Sequence, residues 1–280
     1  MPTLGDPIAF SLGPLDVRWY ALFILGGILA AIALSSWLAA RRGLDPDYLL
    51  DMAPWVVFLG IVGARLYYVL LEWDRFRTDL AGALNIRGGG LTIHGAIVAG
   101  VLTIWALTRR DRQPFFTWMD VIVPGVALGQ AIGRWGNWAN QEAFGTPTDL
   151  PWAVTIDPGR RPPGYEAFAT FHPTFLYESI FNLVNAIVLA WLVLHQPRLR
   201  WARSGDVLAI YLIAYGVGRF LIERIRTDSL YIGPLPAAYW LSMVLVLAGL
   251  ALLAARRAVL AGADTRPAGD EGRPAVEKAS

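Results

Sequence analysis

Charged side chains interrupt segments of the chain that are otherwise apolar. Arg219, Glu223 and Arg226 stand at positions i, i+4 and i+7, which places them on one stripe of a helix. Arg134 lies at the end of a different apolar segment. A charge within a membrane span costs roughly 2.5–3.5 kcal/mol by insertion scales, so these positions indicate a functional site. A structural ion pair between Arg219 and Glu223 is the alternative.

Arginines in a low-dielectric site form a receptor for phosphate, because guanidinium stays charged and binds oxyanions through two parallel hydrogen bonds. In the outer leaflet of a membrane, such a phosphate belongs most naturally to a phospholipid headgroup. We expect the acids nearest in sequence, Glu142 and Glu223, to be too few to neutralise the arginines. The arginines concerned are Arg65, Arg134, Arg219 and Arg226. An imidazole titrates near neutral pH, so His94 is a candidate general acid or base.

Several other chemistries are excluded by composition. Cysteine is absent, so any thiol chemistry must use the thiol of a substrate. The chain has three histidines and no His-x-x-x-His or His-x-Glu spacing, and it lacks a Gly-x-Ser-x-Gly motif. We therefore expect no metal and no cofactor, and the net charge of +2 gives no reason to expect a nucleic-acid partner.

The elements that position these residues are membrane spans. The chain is 55% hydrophobic and 16% charged, against roughly 25% charged in a soluble domain. A helix needs ~20 mainly apolar residues to cross the hydrocarbon core. The sequence predicts an all-α integral membrane protein with seven transmembrane helices, in approximately these windows: Tyr20 to Ala40, Pro54 to Leu71, Leu91 to Thr108, Trp118 to Trp135, Phe175 to Leu194, Val207 to Ile225 and Ala237 to Ala255.

Basic residues cluster in alternate loops, which predicts the orientation. Of the 24 Lys and Arg residues, thirteen lie at 41–42, 109–112, 198–203 and from 256 onward, and six lie in the opposite loops. Cytoplasmic loops carry the excess of positive charge. We expect the N-terminus outside, the C-terminus in the cytoplasm, and a multi-pass protein of the inner membrane with its functional site towards the outer leaflet.

With this orientation, the polar residues of six spans share one depth near the outer leaflet. They are Tyr20, Arg65, His94, Arg134, Asn137, Tyr177, Glu178, Arg219, Glu223 and Arg226. Single residues have simpler explanations: Tyr20 and Tyr177 as interfacial aromatics, Arg65 as a snorkelling side chain, and Glu178 as a helix N-terminal acid. His172, before Pro173, is expected to be a turn residue.

Two connections border this polar layer. The segment at about 136–173 is rich in Gly, Pro and aromatics and predicts a small extracytoplasmic subdomain or lid. Gly88, Gly89 and Gly90 allow the backbone to bend ahead of His94. Gly125, Gly129 and Gly133 form a repeated small-xxx-small pattern that predicts close helix packing. We expect a membrane catalytic domain at 1–258 and a disordered cytoplasmic tail at 259–280.

The run from Gly133 to Gly145 reads Gly-Arg-Trp-Gly-Asn-Trp-Ala-Asn-Gln-Glu-Ala-Phe-Gly. It resembles the signature G-R-x-G-N-F-x-N-x-E-x-x-G of bacterial prolipoprotein diacylglyceryl transferases, with Trp138 in place of the phenylalanine. The resemblance extends over roughly residues 15–255. Its other segments are Arg18-Trp19-Tyr20, Gly63 to Leu66, Gly90 to Gly95, His172 to Glu178, and Tyr215, Arg219, Phe220, Glu223 and Arg226.

The resemblance implies an enzyme that transfers diacylglyceryl from phosphatidylglycerol to the lipobox cysteine thiol of a prolipoprotein signal peptide. This is the first step of bacterial lipoprotein maturation, and it releases glycerol phosphate. His94 is then the candidate base, and Arg134 and Arg219 bind the phosphate. Further candidates for phosphatidylglycerol binding are Tyr20, Asn137, Asn140 and Glu142. Supporting roles fall to Arg65, Tyr177, Glu178, Tyr215, Glu223 and Arg226.

A membrane transporter or channel with a charged pathway is the main alternative, since charged residues in spans also mark substrate paths. It predicts polar residues throughout the depth of the membrane and often inverted repeats, and the sequence displays neither. A phosphatidyl-alcohol synthase is a second alternative, but the D-G-x-x-A-R motif expected of it is missing.

Overall fold

A computed structural model describes residues 1–86 and 89–264 of the chain, and these residues are mostly helical. Arg87, Gly88 and residues 265–280, which carried some of the expectations above, lie outside the described residues. The helices, in chain order, are α1 Trp19–Arg41, α2 Pro46–Leu71, α3 Trp73–Phe76, α4 Leu80–Leu84, α5 Ile93–Arg110, α6 Phe115–Asn140, α7 Thr174–His195, α8 Asp206–Glu223 and α9 Ala237–Asp264.

Each predicted span coincides with one long helix, and five of these helices, α1, α2, α6, α7 and α9, are long and apolar enough to cross a membrane. The other two, α5 and α8, have 18 residues each. Helix α5 ends on Arg109 and Arg110, whereas α8 contains Asp206, Arg219 and Glu223. These charges lower the apolar character of both helices, so a crossing by α5 and α8 remains a prediction.

Two helix boundaries differ from the expected windows because of capping. Helix α2 begins at Pro46 rather than Pro54, since the side chain of Asp45 accepts a hydrogen bond from the backbone N–H of Asp47 and proline suits the first helical position. Pro54 lies inside this helix. Helix α6 continues to Asn140 and ends where Gln141 adopts a left-handed conformation, with φ of 53°.

Glycines allow the helices to pack with their backbones in contact. A Cβ atom at Gly27 would lie 2.8 Å from the carbonyl oxygen of Gly129, and one at Gly125 would lie 2.4 Å from that of Ala31. The predicted small-residue contact is therefore confirmed at Gly125 and Gly129, between α6 and α1. Helix α2 packs against α5, and α8 packs against α9. The apolar core lies mainly between α1, α6 and α7.

Three two-stranded antiparallel hairpins accompany the helices in the described residues. Strands β1 Ile8–Leu12 and β2 Leu15–Arg18 precede α1, and β5 Tyr231–Ile232 and β6 Leu235–Pro236 precede α9. Strands β3 Val154–Thr155 and β4 Thr170–Phe171 pair between α6 and α7. The last pair belongs to a segment that surrounds its own small core, which is formed by Phe144, Val154, Ile156, Phe171 and Phe175.

The helix contact at Gly27 leads to a prediction with a matched control. Gly27→Ala places a methyl group 2.8 Å from a backbone oxygen, whereas Gly26→Ala meets nothing within 4 Å. Alanine gains about 1 kcal/mol of helix propensity over glycine, but overpacking costs about 1–3 kcal/mol. Thermal unfolding in detergent should therefore show a lower Tm for Gly27→Ala and an unchanged or higher Tm for Gly26→Ala. Equal Tm values would contradict the close contact.

Candidate active site

The candidate site lies where α6 ends, α7 begins and α8 ends. Its centre is Glu178, in α7, with a side chain that is only 4% exposed. One carboxylate oxygen lies 2.5 Å from Nη2 of Arg134 on α6. The other lies 3.8 Å from Nη1 of Arg219 on α8 and 3.7 Å from Nη1 of Arg226, just beyond α8. One buried carboxylate therefore contacts three arginines from different parts of the chain.

Two further carboxylates complete the cluster. Glu223 lies one helical turn after Arg219, and its Oε2 is 2.6 Å from Nη2 of that arginine. Asp228 accepts two hydrogen bonds from Arg226, of 2.9 Å from Nε and 2.8 Å from Nη2. We call the six residues the arginine cluster: Arg134, Glu178, Arg219, Glu223, Arg226 and Asp228. Sequence reasoning left Asp228 out, although its spacing of two residues from Arg226 was a signal.

The arginine cluster is balanced in formal charge, with three arginines and three carboxylates. For these three arginines, the expectation of uncompensated positive charge is therefore wrong. It compared the arginines only with the acids nearest in sequence, whereas Glu178 comes from another helix and Asp228 follows the last span. A ligand of the cluster must be recognised by directed N–H donors rather than by excess charge.

Arg65 does not belong to the cluster. Its side chain spans from α2 to the connection before α5, where all three guanidinium nitrogens donate to backbone oxygens at 2.7–3.0 Å. The acceptors are the carbonyl groups of Gly82, Ala83, Gly89 and Gly90. The guanidinium also lies 5.5 Å from the ring centroid of Tyr68. Arg65 thus ties down the connection between α2 and α5, and its snorkelling into solvent is excluded by its burial.

The residues after Arg134 form a chain of hydrogen bonds that ends at an exposed carboxylate. Arg134 donates from Nη1 to the side-chain oxygen of Asn137 at 3.4 Å. Asn137 and Asn140 in turn donate to the same oxygen of Glu142, at 2.9 and 3.3 Å. Left-handed backbone conformations at Gln141 and Ala143, with φ of 53° and 55°, turn Glu142 back towards these amides.

Two tyrosines predicted for the site lie on α1 and α8. Tyr20 is the second residue of α1 and packs so closely on Gly136 of α6 that a Cβ there would lie 2.7 Å from its ring. Tyr215 lies one turn before Arg219 on α8 and stacks on Tyr211, with ring centroids 5.9 Å apart. Tyr20 therefore contacts α6 two residues after Arg134, whereas the ring contact that the structure shows for Tyr215 is within α8.

Tyr177 takes part in a small hydrogen-bonded group that the sequence did not predict. Its hydroxyl accepts a 3.0 Å hydrogen bond from Nε1 of Trp152 and lies 3.1 Å from Nδ1 of His172. His172 was expected to be a turn residue, and its backbone also bonds to both Gly145 and Thr146. This group ties the segment between α6 and α7 to the start of α7, next to Glu178.

The same segment docks onto the end of α8. The backbone N–H of Thr146 donates to the carbonyl of Ile225 at 2.8 Å, and Gly145 pairs with Arg226 as an isolated bridge. A Cβ at Gly145 would lie 2.9 Å from the same carbonyl of Ile225, so only glycine permits this approach. The segment therefore covers the cluster on the side of Arg226.

His94 is the second residue of α5 and is exposed. Its ring centroid lies 6.4 Å from that of Tyr67 on α2. Among the described residues, no hydrogen bond or ion pair connects it to the arginine cluster, so the structure places it at the same end of the helices but not in contact. Within residues 1–86 and 89–264, no group of three or more acidic, His or Cys side chains could hold a metal ion.

Comparison with known proteins adds an independent finding. The family model of prolipoprotein diacylglyceryl transferase matches residues 7–255. The phosphatidylglycerol–prolipoprotein diacylglyceryl transferase of Synechococcus elongatus is 47% identical over 248 residues, which cover 88% of this chain and 86% of the relative. The protein of that name from Gloeobacter violaceus is 47% identical over 248 residues, 88% of this chain and 91% of the relative. The protein of that name from Finegoldia magna is 40% identical over 247 residues, which cover 88% of this chain and 94% of the relative. The chain belongs to the prolipoprotein diacylglyceryl transferase family.

Proposed function

We propose that this protein transfers the diacylglyceryl group of phosphatidylglycerol to the cysteine thiol in the lipobox of a prolipoprotein signal peptide. Membership of the family supports the reaction. The observation that carries the assignment to this site is the contact of arginines from α6 and α8 with one buried carboxylate, in a bundle of apolar helices. The substrates are a phospholipid and a peptide thiol, and the chain itself contains no thiol.

The lipid phosphate binds through the guanidinium groups of Arg134 and Arg219. Nη1 of Arg219 is buried and lies 3.8 Å from Glu178, beyond hydrogen-bond distance, so this donor has no hydrogen-bond partner among the described residues. The side chain of Arg134 is 22% exposed, so it is less buried than that of Arg219, at 15%. Two guanidinium groups on different helices can thus bind two oxygens of one phosphodiester. Tyr20, Asn137, Asn140 and Glu142 surround this position and orient the glycerol headgroup.

The reaction begins when the substrate thiol becomes a thiolate, since the thiolate is the nucleophile. Its sulfur attacks the glyceryl carbon that carries the phosphate oxygen, so a C–S bond forms while the C–O bond breaks. The electron pair of the broken bond leaves on glycerol phosphate. Arg134 and Arg219 offset the negative charge that grows on this oxygen. His94 takes the thiol proton, which it then releases to water, so charge and atoms balance.

The remaining residues hold this geometry. Glu178, Glu223 and Arg226 fix the two catalytic arginines, Tyr177 ties the covering segment to α7, and Tyr215 supports α8 one turn before Arg219. Arg65 holds the connection that leads to His94. Because His94 and the arginine cluster are not in contact, the peptide thiol has to lie between them to reach both.

The proposal includes seven spans, with the N-terminus outside the bacterial inner membrane and the arginine cluster near the outer leaflet. Helix α5 runs antiparallel along α2, as the approach of Gly60 to Ala96 and of Gly100 to Val56 indicates. Helices α2 and α9 are long and apolar enough to cross a membrane. Because α5 packs against α2 and α8 packs against α9, these contacts support a crossing by α5 and α8 as well. The distribution of basic loops supports the orientation.

Reporter fusions test this orientation. Fusions after Arg112 and Arg203 should report a cytoplasmic location, and an external location at both would contradict the orientation.

The arginines can be tested by substitutions that keep the charge. Lysine offers one compact ammonium group instead of a planar fork. We expect Arg134→Lys and Arg219→Lys to fold in the membrane but to lose activity by about 100-fold or more, as with loss of oxyanion donors. The assay incubates purified protein with phosphatidylglycerol and a lipobox peptide, and measures the mass of the thioether product. Near wild-type rates in both variants would show that these arginines have a structural role only.

His94 can be tested through the pH dependence of the same assay. If His94 takes the thiol proton, His94→Gln should lower turnover much more than it lowers binding of phosphatidylglycerol. Raising the pH should partly restore the rate, because the substrate thiol then ionises without a base. Arg134→Lys is the control, since its rate should not recover with pH in this way. An unchanged rate in His94→Gln would remove this residue from the mechanism.

A further inference from the structure

An apolar groove lies between α1 and α2, away from the arginine cluster. It encloses about 460 Å³ and is open along its length. Ile32 of α1 forms one wall, and α2 forms the other with residues that recur every three to four positions: Leu50, Ala53, Pro54, Val57, Phe58 and Ile61. Several of these side chains are exposed, with Phe58 at 58% and Leu50 at 47%. The stripe faces away from α5, which contacts α2 through Gly60 and Gly63.

Two aspartates extend the same stripe towards the start of α2. Asp47, Asp51, Pro54 and Phe58 follow one another at helical spacings of four, three and four residues. Both aspartates are exposed, and among the described residues neither side chain forms an ion pair or a hydrogen bond. Asp45 differs, because its side chain caps the helix. The groove therefore has an acidic end at the start of α2, opposite the end that carries Arg65.

We infer that this groove binds the signal peptide of the prolipoprotein substrate. A signal peptide has a positively charged n-region followed by an apolar h-region of 7–15 residues. The apolar part of the stripe, from Leu50 to Ile61, is about 17 Å long at 1.5 Å per residue, which matches a helical h-region of about 11 residues. The basic n-region then lies at the aspartates. This inference rests on the proposed function and its orientation, which place the n-region and the acidic end of the groove on the cytoplasmic side.

The position of the groove also delivers the thiol. The lipobox cysteine follows the h-region, so it emerges towards the far end of α2. His94 lies at this end, where its ring contacts Tyr67 on the face of α2 that meets α5, so the thiol passes around α2 to reach it. An anionic lipid does not fit this arrangement equally well, because its phosphate would lie against two carboxylates. Acids near a helix N-terminus also complement the helix dipole, but this alone does not explain why they continue an open apolar stripe.

Photo-crosslinking tests the location. A photoreactive residue replaces Phe58 in one variant and Val98 of α5 in the other; the two positions are 58% and 59% exposed. Each variant is mixed with phosphatidylglycerol and a lipobox signal peptide. We expect the peptide to crosslink at position 58 and not at 98. The proposed binding groove is overturned if the thioether product forms without a crosslink at position 58. It is also overturned if the peptide crosslinks equally at positions 58 and 98. If the wild-type protein forms no thioether product, the proposed function itself has failed.

A charge exchange tests the recognition. Asp47→Lys combined with Asp51→Lys should raise KM for a peptide with a basic n-region by about five- to tenfold, the size expected for two exposed charge pairs. The dependence on phosphatidylglycerol should stay unchanged. A peptide with an acidic n-region should show the opposite preference, with a lower KM for the variant than for wild type. Equal KM values for both peptides in both proteins would overturn the proposed recognition.

Discussion

The geometry of the candidate site depends on one buried carboxylate. Glu178 contacts Arg134 from α6, Arg219 from α8 and Arg226 from the segment after α8. Removing one partner of a buried ion pair usually costs about 3–5 kcal/mol, because a charge is left in a low-dielectric site without compensation. Both α6 and α8 pack against α7, so Glu178 determines how far apart Arg134 and Arg219 lie. The balance of charge lowers the cost of burying these arginines among apolar helices.

The backbone provides the second part of the arrangement. Contacts of Gly27 with Gly129 bring α6 against α1, and Gly145 allows the covering segment to approach the end of α8. Left-handed residues at the end of α6 turn Glu142 towards Asn137. Each of these features restricts the position of Arg134 or of the residues around it, so the phosphate would meet donors that are already oriented.

Much of the site follows from sequence because charges are rare in apolar helices. Arg134, Arg219 and Glu223 were predicted in this way. Each predicted span also coincides with one of the seven long helices of the described residues. The role of Glu178 could not be predicted, because it depends on which side of α7 faces α6 and α8. The same holds for Arg65, because its partners are backbone carbonyl groups and the sequence does not indicate which carbonyl groups a side chain reaches. The second predicted span started at Pro54 because the window was chosen by apolar length, whereas helix α2 begins at Pro46, after the cap formed by Asp45.

A double-mutant cycle on Glu178 and Arg134 measures the central coupling most directly. Glu178→Gln keeps the shape of the side chain but removes the charge that fixes Arg134. The cycle compares kcat/KM for thioether formation in wild type, Glu178→Gln, Arg134→Lys and the double variant, with Tm measured for each. If Glu178 acts by orienting Arg134, the double variant should be about as active as the weaker single variant. If the two losses multiply while all four proteins remain folded, the residues act independently and the account is contradicted.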